Sequence, residues 1–309
     1  MREEPTRKNA GILAGMDLGG SKIEAVLLDD NGQELFRRRR PTPPDDYDAL
    51  LQAIQDLHEE LESHAGHPLR LGIGTPGSLS PETGLMRNAN STCLNGQSLH
   101  QDLQQVLGRP VRMANDADCF TLSEAVDGAA KDAATVFGVI LGTGTGGGIS
   151  VRQQVLQGPN AITGEWGHNP LPWPRPEELP GPACYCGRRG CIETFLSGPG
   201  LAADHLRRTG KKLSPRDIAR LAEQGDAEAE ASLQTYEDRL ARGLASIINV
   251  LDPDAIVLGG GLSQLRRLYK NVPDRWRKYI FSDVFRTRLL PPQHGDSSGV
   301  RGAAWLWRD

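Results

Sequence analysis

The stretch GILAGMDLGGSKIEAVLLDD, residues 11–30, places a glycine-rich turn between two apolar segments. Residues 12–18 and 23–28 are apolar and β-prone, and residues 17–22 have the composition of a tight turn. The same order recurs at 135–151, where TVFGVIL is followed by GTGTGGG and then by ISV. Two copies of a strand, a glycine loop and a second strand predict two related α/β halves, and a chain of 309 residues has room for two domains.

Helical periodicity and capping residues indicate the elements between these units. Asp45 and Asp46 precede a segment whose apolar residues recur on one helical face from Leu50 to Leu61, and Gly66 marks its end. Further helices are predicted at 99–107, 117–127, 215–223, 227–250, 263–272 and 299–307, and further strands at 33–39, 69–74, 111–114 and 255–258. The stretch 157–200 is predicted to be rich in loops.

Charge and composition argue against a nucleic-acid or membrane partner. The net charge is -4, and the basic run at 37–40 is interpreted as the solvated end of a strand. No apolar run approaches the ~20 residues that a membrane span needs. Residues 1–10, MREEPTRKNA, lack the apolar core of a signal peptide, so we expect a loose tail and a cytoplasmic protein.

Three of the five cysteines lie in CYCGRRGC, residues 184–191. Cys184 and Cys186 are too close in sequence for an unstrained disulfide, and cytoplasmic thiols stay reduced. The spacing C-x-C-x4-C instead suits a metal knuckle, and His168 is the nearest imidazole upstream, so zinc is the predicted metal. The alternative is three unrelated buried thiols, which is also our interpretation of Cys93 and Cys119.

The second glycine loop matches G-x-G-x-x-G at Gly142, Gly144 and Gly147. A dinucleotide site needs a helix after that loop, whereas ISVRQQV and Gly158-Pro159 predict a strand and a turn. Backbone N–H groups of glycine-rich turns can nevertheless converge on an anion. Both loops are therefore candidates to bind nucleotide phosphates, with an ordinary hairpin as the alternative for each; no P-loop motif occurs in the sequence.

These residues together resemble the ROK family of bacterial sugar kinases over nearly the whole chain, and within it the fructokinases of the manno/fructokinase type. The matching stretches are DLGGSK, GTPGSLSP, NANST, NDAD, GTGTGGG, GEWGHNPLPW, CYCGRRGCIE, LGGGLS and HGDSSGVRGAAWLW. The resemblance implies an α/β, two-domain actin-like ATPase (ribonuclease H-like) fold with an active-site cleft between the lobes. The lobes are expected at 11–125 and 126–296, with the last helix, 297–309, packing back on the first.

The resemblance also implies the residues of the site and their ligands. Asp116 would be the catalytic base, and Asn115, Asp116, Glu165, His168 and Glu193 would bind the sugar. ATP with Mg²⁺ would be bound by Asp17, Gly19, Gly20, Ser21, Lys22, Gly142, Thr143, Gly144, Thr145, Gly146, Gly260 and Gly261. Structural zinc would be bound by His168, Cys184, Cys186 and Cys191. Ser21 stands where the family more often has Thr, and it keeps the hydroxyl.

Chemistry supports these roles and leaves alternatives for two of them. A sugar hydroxyl needs a carboxylate to take its proton, which Asp116 could do, although an Asp at a helix start can also be an N-cap. Phosphoryl transfer otherwise depends on positioning and charge neutralisation. Asp17 is a candidate to hold Mg²⁺ through water, or it only stabilises its turn.

The predicted zinc site could also order the sugar site. His168 has two ring nitrogens, so one can bind the metal while the other faces the sugar, and Glu193 lies two residues after Cys191. Four protein ligands imply a closed, structural metal site. We expect the metal to hold these two sugar-binding residues in place; the alternative is a metal that only holds its loop.

The preferred function is therefore that of a fructokinase that converts D-fructose and ATP to fructose 6-phosphate and ADP. Glucose, mannose and N-acetylglucosamine are alternative substrates. A regulator of the same family would carry an N-terminal helix-turn-helix domain, and only ten residues precede the first strand here. A non-catalytic sugar sensor is disfavoured because Asp116 and both glycine loops are intact. A homodimer is expected from the resemblance alone.

Overall fold

The computed structural model describes residues 11–89 and 91–308, so the predicted tail at 1–10 and Asn90 of the NANST stretch lie outside the described residues. The chain forms two compact units. The first takes the chain up to Asp127 together with Gln157–Ile162 and the residues from Ser297 on, and the second takes Gly128–Leu156 and Thr163–Asp296. Within the described ranges, no helix has the length and apolar character that crossing a bilayer would require.

The first unit is built on a mixed sheet with helices packed against it. Its strands are β1 (Leu13–Leu18), β2 (Lys22–Leu28), β3 (Glu34–Pro41), β4 (Leu71–Thr75), β5 (Ser78–Leu79), β6 (Met86–Arg87) and β7 (Val111–Asn115). Its helices are α1 (Tyr47–Ala65), α2 (Leu99–Leu107), α3 (Asp116–Val126) and, at the end of the chain, α9 (Ser298–Trp305). In its described residues the main sheet has the order β3-β2-β1-β4-β7, with β2 antiparallel to β1 and β3, and β4 parallel to β1 and β7.

Alternating side chains on β1 pack against different helices. Ala14 and Met16 join the apolar face of α1 in one buried cluster, as successive residues of a strand point to opposite faces. Gly15 instead faces α9, where an added Cβ would lie 2.4 Å from the Val300 carbonyl oxygen. Asp17 shares that face, so its surroundings are set by how closely α9 approaches the sheet.

The second unit repeats this strand order. Its strands are β8 (Thr135–Leu141), β9 (Thr145–Val151), β10 (Gln154–Val155), β11 (Ala255–Gly259) and β12 (Arg288–Leu290). Its helices are α4 (Glu193–Leu196), α5 (Gly198–Thr209), α6 (Pro215–Glu223), α7 (Ala227–Leu251) and α8 (Leu268–Trp276). The order β10-β9-β8-β11-β12, with an antiparallel meander followed by parallel strands, matches that of the first unit in the described ranges and confirms the predicted duplication.

Local signals in the sequence located most helix ends correctly. The side chain of Asp46 accepts a hydrogen bond from the Ala49 amide and caps α1, and Gly66 ends it in the left-handed conformation at φ 74°. The basic run at 37–40 lies on β3, as predicted, where its arginines pair with Glu24, Glu34, Asp56 and Glu60.

Two helices were not predicted, and one predicted helix is divided. The predicted loop-rich stretch 157–200 extends only to Ile192, because α4 begins at Glu193, and α5 follows with the Ser197 side chain as its cap. The Gly-Pro-Gly start of α5 resembles a loop in sequence, although Pro suits a first helical turn. The predicted helix at 263–272 is divided into a 3₁₀ turn, Gly261–Gln264, and α8, because Leu265 between them is extended.

Buried ion pairs hold the segment 172–180 against α7. The guanidinium of Arg242 is buried and donates to both carboxylate oxygens of Glu178, at 2.7 and 2.8 Å, and to the Trp173 carbonyl oxygen at 2.9 Å. Arg239 donates to the same carboxylate at 2.8 Å. Desolvation acts to raise the pKa of Glu178, but hydrogen bonds from Arg242, Arg175 and Arg239 outweigh it and lower that pKa to about 2.

Replacing Glu178 by Gln should destabilise the protein strongly, since it removes the carboxylate that the buried guanidinium groups of Arg242 and Arg239 share and leaves each of them with one remaining carboxylate partner. Breaking a buried ion pair costs about 3–5 kcal/mol. The same carboxylate should make wild-type stability fall with acidity, because its pKa is depressed from 4.5 to about 2. Its contribution is complete above pH 4.5 and is lost as the pH falls towards 2. Urea unfolding at several pH values measures both effects.

Glu228→Gln is the matched control, since Glu228 pairs with Lys211 at 2.6 Å on the surface, with both side chains at least half exposed. Exposed pairs contribute about 0–1 kcal/mol. If Glu178→Gln and Glu228→Gln lower the free energy of unfolding equally, the buried network does not have the stabilising role expected for it.

Candidate active site and metal centre

Asn115 and Asp116 lie where β7 passes directly into α3. The Asn115 side-chain oxygen accepts a hydrogen bond from the Asp118 amide at 2.6 Å, so Asn115 is the N-cap. Asp116 is the first helical residue, and its exposed side chain accepts from the adjacent Ala117 amide at 2.8 Å. The capping role that the sequence left open for Asp116 therefore belongs to Asn115.

Asp17, the penultimate residue of β1, has a glycine beside each of its carboxylate oxygens. A Cβ atom on Gly74 would lie 3.3 Å from one carboxylate oxygen of Asp17, and a Cβ on Gly299 would lie 3.1 Å from the other. Burial, and then the negative charges of Asp116 and Glu24, raise the pKa of Asp17 from 3.8 to about 6. The structure thus brings two of the predicted site residues, Asp17 and Asp116, into electrostatic contact.

The turn after Asp17 is tight, as predicted. The Gly19 amide donates to the Lys22 carbonyl oxygen at 2.9 Å, and the Thr42 hydroxyl donates to the Gly19 carbonyl oxygen at 2.6 Å. Gly20 and Ser21 are exposed at its tip. The ammonium group of Lys22 lies 3.4 Å from the buried Glu24 carboxylate.

The glycine loop of the second unit, Gly142 to Gly146, joins β8 and β9, which pair in an antiparallel hairpin. A strand and not a helix follows the loop, so the prediction against a dinucleotide-binding fold is confirmed. Gly260 has φ 76°, and a Cβ there would lie 2.5 Å from the Leu141 carbonyl oxygen, so only glycine allows the chain after β11 to pass this close to β8.

A cavity of about 780 Å³ opens beside this loop. Its lining joins predicted nucleotide residues to the ends of α5 and α6, and consists of Leu141, Gly142, Thr143, Gly198, Pro199, Ala202, Ser214, Pro215, Arg216, Ala219, Gly261, Leu262, Gln264 and Leu265. The walls are mainly apolar, and its size and a few polar groups suit a small ligand. The residues from α5 and α6 were missed because small apolar side chains on a helix carry no distinctive signal.

The four predicted metal ligands converge on one point. One ligand atom each from His168, Cys184, Cys186 and Cys191 lies within 4.8 Å of all the others. The Cys184 sulfur is 3.6 Å from His168 Nδ1, and the sulfurs of Cys186 and Cys191 are 3.6 Å apart. A tetrahedral zinc site with Zn–S bonds of about 2.3 Å has ligand separations of about 3.8 Å, so this donor set fits zinc.

Tyr185, which was not among the predicted site residues, contacts the predicted sugar-binding residue His168, although Tyr185 itself is 81% exposed. Its hydroxyl lies 2.9 Å from Nε2 of His168, the ring nitrogen that does not face the sulfurs. Desolvation of this hydroxyl, and then the charges of Glu193 and Glu165, raise the pKa of Tyr185 to about 12. Glu165 and Glu193 are therefore near enough to Tyr185 for their charges to act on its hydroxyl, which contacts His168.

Comparisons with known proteins cover almost the whole chain. The ROK family model matches residues 13–309. An N-acetyl-D-glucosamine kinase of Yersinia pseudotuberculosis is 40% identical over 296 residues, which is 94% of this chain and 97% of the relative.

Solved structures are similar over the same length. A ROK hexokinase from Thermus thermophilus has a TM-score of 0.85 at 30% identity and covers 96% of this chain and 97% of its own. A ROK glucokinase from Streptomyces griseus, solved with glucose and AMPPNP, has a TM-score of 0.74 at 27% identity and covers 96% of this chain and 99% of its own. The predicted fold class, an α/β actin-like ATPase fold, is confirmed by these similarities.

Asp17→Asn should raise the stability of the protein at neutral pH. The folded-state pKa of Asp17, about 6, exceeds its ordinary value of 3.8, so its charge destabilises the fold as the pH rises from 3.8 to 6. At about 1.4 kcal/mol per pKa unit, the asparagine variant should be more stable by up to roughly 3 kcal/mol at pH 7.5. Urea unfolding without divalent cations at pH 4.5 and 7.5 measures this. The advantage should shrink at the lower pH, and a variant less stable than wild type at pH 7.5 would contradict the expectation.

Proposed function

The chain belongs to the ROK family, and from that membership we propose that it is an ATP-dependent sugar kinase. The observation that carries the proposal is the position of the Asp116 carboxylate, which is exposed at the first residue of α3, directly after β7, where Asn115 is the N-cap. The similarity to kinases over the whole chain supports the same conclusion.

N-Acetylglucosamine is the first candidate substrate. It is the sugar named for the Yersinia relative, which is more similar to this chain than the hexokinase and glucokinase structures are. Fructose, expected from the resemblance of the motifs, stays a prediction, as do a homodimer and a cytoplasmic location.

Asp116 acts as the general base in the proposed reaction. It takes the proton of a sugar hydroxyl while that oxygen attacks the terminal phosphorus of ATP, and ADP leaves. Asn115, Glu165, His168 and Glu193 pair with the other hydroxyl groups. A sugar that leaves these polar groups unpaired is discriminated against, because their hydrogen bonds to water are lost without replacement.

ATP occupies the cavity beside the glycine loop in this proposal. The apolar walls between α5, α6 and Gly261 receive the adenosine, and the backbone of the loop receives phosphates. Asp17 fits a role in holding Mg²⁺, since a hard cation prefers carboxylate oxygen and Gly74 and Gly299 leave room beside this carboxylate. When bound, Mg²⁺ neutralises the charge of the phosphates.

Zinc is the metal proposed for the cysteine motif. Three thiolates and one imidazole leave no coordination position for water, so the metal is structural. Through His168 and through Glu193, which follows Cys191 by two residues, it holds two sugar-binding side chains in place.

The first test is a coupled assay with ATP over N-acetylglucosamine, fructose, glucose and mannose, in which N-acetylglucosamine should give the highest kcat/KM. With the best sugar, Asp116→Asn should lower kcat by about 10²–10⁴, the usual contribution of a general base. Asp46→Asn is the control, because asparagine caps α1 as well as aspartate does. Undiminished turnover by Asp116→Asn would exclude the proposed base.

Replacing Cys184 or Cys191 by Ser should release the metal and raise KM for the sugar, because His168 and Glu193 then lose their fixed positions. Zinc content is measured by atomic emission, and KM is measured on the same preparations. Cys93→Ser, outside the cluster of ligands, should change neither quantity. Loss of zinc with an unchanged sugar KM would mean that the metal only holds its loop.

A further inference from the structure

Residues 166–198, which include the predicted metal ligands, also contact the glycine loop at several points. The Gly198 amide, at the start of α5, donates to the Gly142 carbonyl oxygen at 2.8 Å. The Trp166 indole N–H donates to the Gly146 carbonyl oxygen at 3.0 Å. A Cβ on Gly167 would lie 2.0 Å from the Thr145 carbonyl oxygen, so these backbones are in direct contact.

The charged side chain of Glu193 contacts the centre of the loop. Its Oε2 atom accepts a hydrogen bond from the Thr145 amide at 3.0 Å. A Cβ on Gly144 would lie 2.6 Å from the same oxygen, so the absence of a side chain at 144 allows the carboxylate to approach. Hydrogen bonds of this charged kind are about twice as strong as neutral ones.

These contacts decide which amides the loop can offer to an anion. The Gly142 amide donates to the Gly144 carbonyl oxygen at 3.0 Å, and the Thr145 amide donates to Glu193. Within the described part of the chain, the amides of Thr143 and Gly144 donate to no protein acceptor. Two adjacent N–H groups in a rigid turn form the kind of concavity that binds phosphate.

We propose that Glu193 is a positioning residue for the phosphate-binding loop, so that the cysteine motif sets the affinity for nucleotide even when no sugar is present. The inference rests on the proposed function and extends it, because there Glu193 serves the sugar alone. A carboxylate repels phosphate, so Glu193 does not bind the phosphate itself. It accepts a hydrogen bond from the Thr145 amide and so fixes the loop, and the amides of Thr143 and Gly144 are left to bind the phosphate.

The link from the metal ligands to Glu193 is short and well bonded. Glu193 opens α4 two residues after Cys191, whose carbonyl oxygen accepts from the Thr194 amide at 2.9 Å. The Ile192 amide between them donates to the Asn169 carbonyl oxygen, also at 2.9 Å, next to His168. The position of the carboxylate is therefore determined by the same backbone that brings the four ligands together.

The test is calorimetric titration of the zinc-loaded protein with ADP in the absence of sugar. Glu193→Ala should weaken ADP binding about tenfold, the loss expected for one hydrogen bond to a charged group. Glu193→Gln keeps a carbonyl oxygen for the Thr145 amide and should recover affinity to within about threefold of wild type. Glu177→Ala, an exposed carboxylate in the same segment, should leave ADP affinity unchanged.

Gly144→Ala provides a second route that does not alter Glu193. Its Cβ displaces the carboxylate from the loop, so it should weaken ADP binding in wild type but add little in the Glu193→Ala background. If Glu193→Ala fails to fold, Glu193→Asp takes its place in both comparisons, because the shorter side chain also withdraws the carboxylate from the Thr145 amide.

The outcomes separate the inference from the proposed kinase activity. Wild-type affinity for ADP in both Glu193→Ala and Gly144→Ala would overturn the positioning role, whatever their turnover. A wild-type protein that binds ADP but phosphorylates no sugar would contradict the proposed function, and the ratio of ADP affinities would still decide the role of Glu193.

Discussion

Parallel pairing of neighbouring strands is the constraint on which the candidate site in each unit depends. In the first unit β1, β4 and β7 run in one direction, so their carboxyl ends share an edge of the sheet. Asp17 is the penultimate residue of β1, and Asp116 directly follows β7, close enough for its charge to raise the pKa of Asp17. In the second unit the parallel strands β8 and β11 bring Gly260 against the end of β8 in the same way. The direction of the strands therefore brings the candidate site residues of each unit to one edge of its sheet, before any side chain makes a specific contact.

The elements that could be predicted from the sequence are those specified by local chemistry. The strand, glycine loop and strand units combine β-prone runs with turns that only a few residue types allow, and both are present. Asp46 and Gly66 mark the ends of α1 because capping involves neighbours in the chain. Helix α5 was missed because its first residues favour a turn, and its packing against α7 involves residues that come later in the chain, beyond α6.

The site was predictable to the extent that its chemistry is distinctive. Cysteines at close spacing and carboxylates after apolar strands are rare enough to identify, and the structure brings the four metal ligands together. The choice between Asn115 and Asp116 as cap was not accessible, because both side chains can cap and only the backbone shows which one does. Tyr185 and Arg216 carry no pattern of their own, and their proximity to the site follows from folding of the segments around them.

Two largely buried carboxylates, Glu178 and Asp17, differ in whether their negative charge stabilises the fold. Glu178 is surrounded by donors from Arg242, Arg175 and Arg239, which lower its pKa far enough to offset desolvation, so its charge stabilises the second unit. Asp17 has Lys22 as a cation nearby, but burial and two other acids prevail and raise its pKa to about 6. A protein gains no stability from such an arrangement, which persists at positions where a ligand supplies the missing positive charge. The unbalanced carboxylate, and not the well-paired one, is therefore the better candidate for the proposed Mg²⁺ site.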